Sequence, residues 1–134
     1  MIIRRIFAFF IDLVIAVLLS YLPFGFILAF FYILIKDKLT KKGSPGKNFL
    51  NLQVTTITGQ HITFEESIYR NLILAFPLLF NIFPFGGSFI SMATYSIICV
   101  IEILTMIDSA YEQRMGDRWA NTVVREAPVY YHNL

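Results

Sequence analysis

The sequence predicts an all-α membrane protein: four membrane helices arranged as two hairpins, with a small strand-bearing cytoplasmic element between helices 2 and 3. The chain is 57% hydrophobic and its mean hydropathy is +0.65, far above an ordinary soluble domain. Uncharged runs at 13–35 and 71–101 are long enough to cross a bilayer and too long for core strands. Basic residues flank these runs, where positive charge sets the orientation of membrane helices.

Helix 1, predicted over about 2–21, carries Arg5 at its start and Asp12 well inside. Seven residues are close to two turns, so both charges lie on one face. A carboxylate inside a membrane helix is costly unless it faces protein, water or a partner. We therefore expect this face to point inward and Phe7 and Phe10 to meet lipid. Small or polar residues on the same side would let another helix approach closely: Ala8, Ala16 and Ser20.

Helix 2 is predicted over about 24–39 and leads into a cytoplasmic loop, 40–63. Arg4 and Arg5 at one end of the first hairpin and lysines at the other predict that both ends are cytoplasmic. Within the loop, Lys41, Lys42 and Lys47 are candidates for contact with lipid headgroups. Alternating β-branched residues after position 48 predict short strand-like pieces. His61 lies there without a second ligand nearby, which favours a solvated histidine over a metal ligand.

Helix 3, predicted over about 64–83, begins with a capping box between Thr63 and Glu66. Glu66 and Arg70 are one turn apart in the favourable acid-first order, and Pro77 is expected to kink the helix. Helix 4, over about 88–108, carries a polar stripe expected to face the interior: Ser88, Ser91, Tyr95, Cys99, Glu102 and Ser109. In the cytoplasmic tail, 109–134, residues 122–124 predict a strand that could pair with 53–57.

Four blocks, in order, resemble the RDD family of prokaryotic multi-pass membrane proteins, which is named for one arginine and two aspartates. They are Arg5 to Asp12 in helix 1, the basic glycine loop from Lys42 to Val54, Tyr69-Arg70-Asn71, and Gly116 to Val124 with the second aspartate, Asp117. The resemblance spans nearly the whole chain, although Pro45 stands where leucine is more usual. It implies one membrane domain, 1–134, in a prokaryotic inner membrane with both termini cytoplasmic. For some members, monovalent cation/proton antiport has been proposed.

Other function classes find little support in the sequence. The glycine loop before Lys47 is too short for a phosphate-binding loop, and Asn48 stands where a hydroxyl would bind magnesium. The net charge of +2 is too small to indicate nucleic acid. No catalytic serine, zinc or haem pattern is present, so neither an enzyme nor a bound cofactor or metal is predicted. Cys99 is the only cysteine, so no internal disulfide can form.

Two hypotheses for the function follow. In the first, Asp12 and Glu102 bind a proton, Na⁺ or K⁺ during coupled transport, provided that the two side chains converge. In the second, the chain is a non-transporting membrane subunit whose buried charges set its packing against a partner protein. Four short segments make a small transporter, so a homo-oligomer or another membrane protein is expected as partner. The candidates for a charge network are Arg5, Glu66, Arg70, Asp108, Asp117 and Arg118, with Asp117 expected to pair with Arg5 or Arg70.

Overall fold

A computed structural model describes residues 1–128, so the end of the predicted tail, 129–134, lies outside it. The chain is mostly helical and carries one small sheet, which confirms the predicted class in outline. Its elements, in order, are α1 (Ile2–Ser20), α2 (Gly25–Ile35), a 3-10 helix (Lys36–Lys38), α3 (Pro45–Phe49), β1 (Leu52–Thr56), α4 (Phe64–Ala75), a second 3-10 helix (Phe76–Ile82), α5 (Gly87–Asp108), α6 (Met115–Trp119) and β2 (Thr122–Glu126).

One helix in the described part, α5, has the length and composition of a membrane span. Only 17% of its most apolar 18-residue stretch is buried inside the protein, so most of the apolar surface of this helix faces outward. The first helix shows the predicted two-sided pattern. Arg5, Ala8, Asp12 and Ala16 are its buried residues, whereas Phe7 and Phe10 are more than half exposed. Ser20 is exposed and does not belong to the buried face.

The α-helix that begins at Phe64 is shorter than predicted because of Pro77. The capping box at its start is present, since Thr63 accepts from the Glu66 amide and Glu66 accepts from the Thr63 amide. The α-helix ends at Ala75, and the chain continues as the 3-10 helix that contains Pro77. Proline has no N–H to donate and clashes with the preceding turn. The proline thus ends the α-helix rather than kinking it.

The two strands come from distant parts of the chain and pair antiparallel. Val54 lies opposite Val124 at the centre, and Thr56 lies opposite Thr122 at one end. This is the predicted pairing of the tail with the loop. Leu52, Val54 and Val124 form a small core with Ala8 and Ile62 beneath the sheet. The sheet is thereby fixed against the start of α1.

The segments that lead into the strands are two copies of one local motif. Each is a one-turn helix with glycine as its second residue, then a charged residue, an aromatic residue and an asparagine at positive φ before the strand. In the first copy these are Gly46, Lys47, Phe49 and Asn51; in the second they are Gly116, Asp117, Trp119 and Asn121. The two strands that follow these short helices are the ones that pair with each other in the antiparallel sheet. Each helical hairpin is therefore followed by its own copy of this helix–strand unit, α3 with β1 and α6 with β2.

The long helices are not packed equally on all sides. The second helix packs along both α1 and α4, and α5 packs on the 3-10 helix after α4. By contrast, α1 and α5 scarcely touch, apart from the stacked rings of Phe9 and Tyr95, whose centroids are 6.4 Å apart. A cavity lies between these two helices.

Candidate functional site: a buried charge network

Nine charged side chains are buried together where the helices meet the two helix–strand units. We call this set the charge network: Arg5, Asp12, Lys36, Asp37, Lys47, Arg70, Glu102, Arg114 and Asp117. None is more than 9% exposed. Charged side chains are rarely buried without partners, because removing an ion from water costs several kcal/mol. The network has three centres, each built around an aspartate, together with Glu102.

Asp117 is held by three arginines. Its carboxylate oxygens lie 2.8 Å from Arg5 Nη2 and 2.9 Å from Arg70 Nη2, and 3.4 Å from Arg114 Nη2. The backbone N–H of Arg114 also donates to it, at 3.2 Å. Burial alone would raise the pKa of Asp117, but the neighbouring guanidinium groups hold it well below the usual range. This aspartate is therefore ionised, and it pairs with both arginines that the sequence offered as alternatives.

A second centre forms around Asp37, which lies in the 3-10 helix after α2. Arg70 Nε is 3.1 Å and Asn71 Nδ2 is 2.7 Å from its Oδ2 atom, and Lys47 Nζ contacts Oδ1. Burial lowers the pKa of Lys47 to about 7, and the nearby cations Arg70, Lys36 and Arg114 add to this effect against the attraction of Asp37. The lysine is thus the network member poised to titrate near neutral pH.

The third centre is Asp12 on α1, which is saturated with donors. Its Oδ1 atom accepts from the Gly46 backbone N–H at 2.8 Å and from the Tyr32 hydroxyl at 3.4 Å. Its Oδ2 atom is 3.3 Å from Lys36 Nζ, which also lies over the Phe9 ring. A side chain at Gly46 would overlap the Ala8 carbonyl, so glycine is required for this approach. Asp12 thus ties α1 to α2 and to α3.

Glu102 on α5 differs from the three aspartates. It is 3% exposed, and neither carboxylate oxygen meets the geometry of a hydrogen bond with the described residues, although the Gly116 backbone N–H lies close by. The nearest cation, Arg114 Nε, is 3.7 Å away, an ion-pair distance beyond hydrogen-bond reach. An unsatisfied buried carboxylate is expensive, so such a group usually binds a proton, an ion or an ordered molecule. This is the open position of the network.

The cavity between α1 and α5 has a volume of about 320 Å³ and is lined by both Asp12, from α1, and Glu102, from α5. The two carboxylates share this cavity, but each keeps its own cation, Lys36 or Arg114. The rest of the lining is largely apolar and includes Phe10 and Met106. Asp12 and Glu102 therefore face one space without forming a directly bonded carboxylate pair.

Several residues that the sequence offered for the site lie elsewhere. Lys47 is buried on Asp37 and cannot contact lipid headgroups, whereas Lys41 is exposed and Lys42 donates to Asn51. Arg118 and Asp108 are exposed and join no ion pair among the described residues. The pair expected between Glu66 and Arg70 does not form, because Glu66 caps its helix and Arg70 points to the aspartates.

Three network members were missed by sequence reasoning: Lys36, Asp37 and Arg114. The first two directly follow an apolar run, where charged residues ordinarily mark the point at which a helix leaves the membrane. Their burial depends on contacts outside this run: Lys36 pairs with Asp12, and Asp37 contacts Lys47, Arg70 and Asn71. Arg114 carried a usable local signal. It precedes Asp117 by three residues, the spacing at which a side chain in the first turn can cap the start of a helix, and Asp117 accepts hydrogen bonds from the backbone N–H and the guanidinium of Arg114.

Comparison with known proteins gives one match. The model of the RDD family matches residues 23–121, most of the chain, including both helix–strand motifs up to the asparagine of the second. Searches of curated proteins and of solved structures returned no match.

Proposed function

Since the chain belongs to the RDD family, which is membrane-associated, we propose that it is an integral membrane protein that exchanges a monovalent cation for protons. The proposal places four spans in the bilayer: α1, α2, α4 with its following 3-10 helix, and α5. The large apolar side chains exposed on these elements support it, because water would not cover them favourably. Phe10, Phe31, Phe76 and Leu104 are examples, each at least half exposed.

The observation that carries the transport proposal is the unsatisfied carboxylate of Glu102. A transported cation needs a buried anionic group whose oxygens are still open to a ligand. Three donors occupy Asp12, whereas Glu102 has Arg114 at an ion-pair distance of 3.7 Å, so Glu102 is the more open of the two carboxylates. Glu102 lines the cavity, and neither of its oxygens has a partner of hydrogen-bond geometry within residues 1–128. We therefore assign the exchangeable cation or proton to Glu102, and a structural role to Asp12.

The charge balance of the network supplies a reason for coupling. The network holds five cationic side chains against four carboxylates, so it carries one excess positive charge when every group is ionised. Loss of a proton from Lys47, whose pKa is about 7, would remove this excess. A cation then enters against less repulsion than when Lys47 is charged. Release of the Lys47 proton and entry of a cation into the network would thus favour each other. Exchange of a cation for protons requires such coupling.

We also propose which membrane holds the protein, how it is oriented there and what completes its pathway. The charged end of the helices is placed on the cytoplasmic side of a prokaryotic inner membrane, with both termini there, because basic residues collect at that end. The open side between α1 and α5 favours a pathway completed by a second copy or another membrane protein. Neither an enzymatic reaction nor a bound cofactor is proposed, and Na⁺, K⁺ and H⁺ are cargo.

Proton flux in liposomes tests the proposal. Purified protein is reconstituted with a pH dye inside, Na⁺, K⁺ or Li⁺ is added outside, and the wild type is compared with Glu102→Gln. Glu65→Gln is the matched control, because Glu65 is an exposed glutamate outside the network. We expect cation-dependent proton movement in the wild type and the control, and its loss in Glu102→Gln.

Two results would contradict this assignment. Equal flux in the wild type and a folded Glu102→Gln protein would remove Glu102 from the mechanism. No flux from well-inserted wild type with any of the three ions would end the proposal for the chain alone. The alternative, a membrane subunit whose charges pack against a partner, has less support because the aspartates find their partners within the chain. Copurification of a fixed second protein would favour it.

A further inference from the structure

A second cavity, of about 450 Å³, lies beside the loop that follows α2 and borders the charge network only at Asp37. Its basic lining consists of Lys38, Lys41, Lys42 and His61. Among the described residues, Asp37 is the only acidic one in the lining, and it is 1% exposed and already bound by Arg70, Asn71 and Lys47. The cavity is therefore strongly basic at its accessible surface.

The lysines here differ from the buried cations of the charge network. In the described residues, each cation of the network has a carboxylate within 4 Å, whereas Lys38, Lys41 and Lys42 have none. Lys42 has a neutral partner, the side-chain oxygen of Asn51 at 2.7 Å. Uncompensated positive charge around a concave surface attracts anions. The cavity thus has the charge of an anion site.

The loop that carries these lysines is held in a defined shape. Thr40 and Gly43 close it by hydrogen bonds in both directions, and the Val54 N–H donates to the Lys42 carbonyl at 2.7 Å. Gly43 has φ +146°, and a side chain there would meet Val54. The backbone of His61, which also lines the cavity, is fixed by a β-bridge to Thr55. The basic groups are therefore presented by a preformed frame, which reduces the entropy lost on binding.

The geometry points to a binding site for a phosphate group in this cavity, made by Lys38, Lys41, Lys42 and His61. Ammonium groups bind phosphate oxygens as point charges, and an imidazole N–H adds a directed donor. Two sources supply this chemistry: the headgroup of an anionic phospholipid in the adjoining leaflet, or a free phosphate. The inference does not depend on transport at Glu102, since the two sites share no cavity-lining residue.

Calorimetric titration of the purified full chain in detergent tests the site with three probes. These are dihexanoyl phosphatidylglycerol, dihexanoyl phosphatidylcholine and inorganic phosphate. The test variant is Lys38→Gln/Lys41→Gln. Its matched control is Arg118→Gln/Arg125→Gln, which removes the same charge from exposed positions that do not line the cavity. We expect phosphatidylglycerol to bind the wild type and the control variant with the same affinity. We expect it to bind the lysine variant more weakly, by about fivefold for each lysine removed.

Each outcome decides the inference. Selective loss in the lysine variant supports the site. The natural ligand is then a lipid headgroup if inorganic phosphate does not compete with phosphatidylglycerol. It is a free phosphate if inorganic phosphate binds as tightly as phosphatidylglycerol. Equal weakening in both variants would reduce the effect to net charge and overturn the site. Equal binding of phosphatidylcholine, or no binding of any probe, would also overturn it. His61→Gln, which is expected to weaken binding without changing a lysine, provides a second check on the same cavity.

Discussion

Arg70 and Asp117 form an ion pair of 2.9 Å in which neither side chain has any exposed surface. The same guanidinium reaches Asp37 through its Nε atom at 3.1 Å. Arg70 therefore joins the aspartate that follows the first hairpin to the aspartate of the second helix–strand unit. Because both aspartates are buried, Arg70 helps to keep them ionised, together with Lys47 at Asp37 and with Arg5 and Arg114 at Asp117.

Replacing Arg70 should destabilise the protein more than replacing any exposed arginine. We expect Arg70→Gln to lower the free energy of unfolding by about 3–5 kcal/mol, because it leaves two buried carboxylates short of a partner. Arg118→Gln, the exposed control, should change it by less than about 0.5 kcal/mol. Thermal unfolding in detergent, followed by circular dichroism, measures the difference. Similar midpoints for both variants would show that the pair contributes little.

The two glycines of the helix–strand units should not tolerate alanine. A Cβ atom on Gly46 would overlap the Ala8 carbonyl, and one on Gly116 would overlap the Arg70 carbonyl. We expect either substitution to push its short helix away and to cost several kcal/mol, which lowers the unfolding temperature. Gly59→Ala is the control, since Gly59 has open space around it and only its φ of +91° opposes a side chain. Its cost should be about 1 kcal/mol. An unfolding temperature for Gly116→Ala above that of the control would contradict the close packing.

Lys47 should make stability depend on pH above neutrality. Its pKa falls from 10.5 in the unfolded chain to about 7 in the folded protein, so the unfolded state binds more protons between these values. Stability should therefore rise with pH over this window, by at most about 1.4 kcal/mol for each pH unit. Urea unfolding of the wild type and Lys47→Met at several pH values isolates the effect. Parallel profiles for the two proteins would exclude Lys47 as the titrating group.

Asp117 should make the protein sensitive to acid. Its pKa is lowered in the folded state, so its contribution to stability is complete above the ordinary value of 3.8 and is lost as the pH falls below it. The stability difference between the wild type and Asp117→Asn should therefore be largest near neutral pH and shrink in acid. Unfolding midpoints at several pH values from neutrality down to about 3 measure it. A difference that does not change with pH would mean that Asp117 acts through packing alone.

The strand register can be tested by a disulfide. Gln53 and Arg125 are directly opposite each other, and their side chains are at least partly exposed. Cysteines at both positions, with Cys99→Ser to remove the only native thiol, should cross-link under mild oxidation. Cysteines at Gln53 and Arg118 form the control, because Arg118 lies outside the strands. Mobility on non-reducing gels separates the products, and cross-linking of the control alone would refute the register.

Local patterns accounted for much of the fold. The buried stripe of α1, the capping box at Thr63 and the strand at 122–124 each depend on residues a few positions apart, so the sequence displays them directly. Pro77 illustrates a limit of the same reasoning. The proline indicates a break, but the neighbouring contacts decide between a kinked α-helix and a 3-10 continuation.

The candidate site was less predictable, because partner choice inside the network is not local. Asp12 and Arg5 share a helix face, but their partners come from α2, α3 and the segment after α5. Lys47 and Lys41 look alike in sequence and differ only because Asp37 lies within reach of one of them. Such choices depend on which segments the fold brings together, and local patterns in the sequence do not show this.

The antiparallel sheet has a consequence for how the chain matures during synthesis. When β1 leaves the ribosome, the strand that will cover its edge has not been made, and Arg5 still lacks Asp117. Domains generally form in the order of synthesis, so the first hairpin must wait with an open strand edge. Nascent chains stalled before residue 117 should therefore be more sensitive to protease, and more dependent on chaperones, than chains that have passed β2.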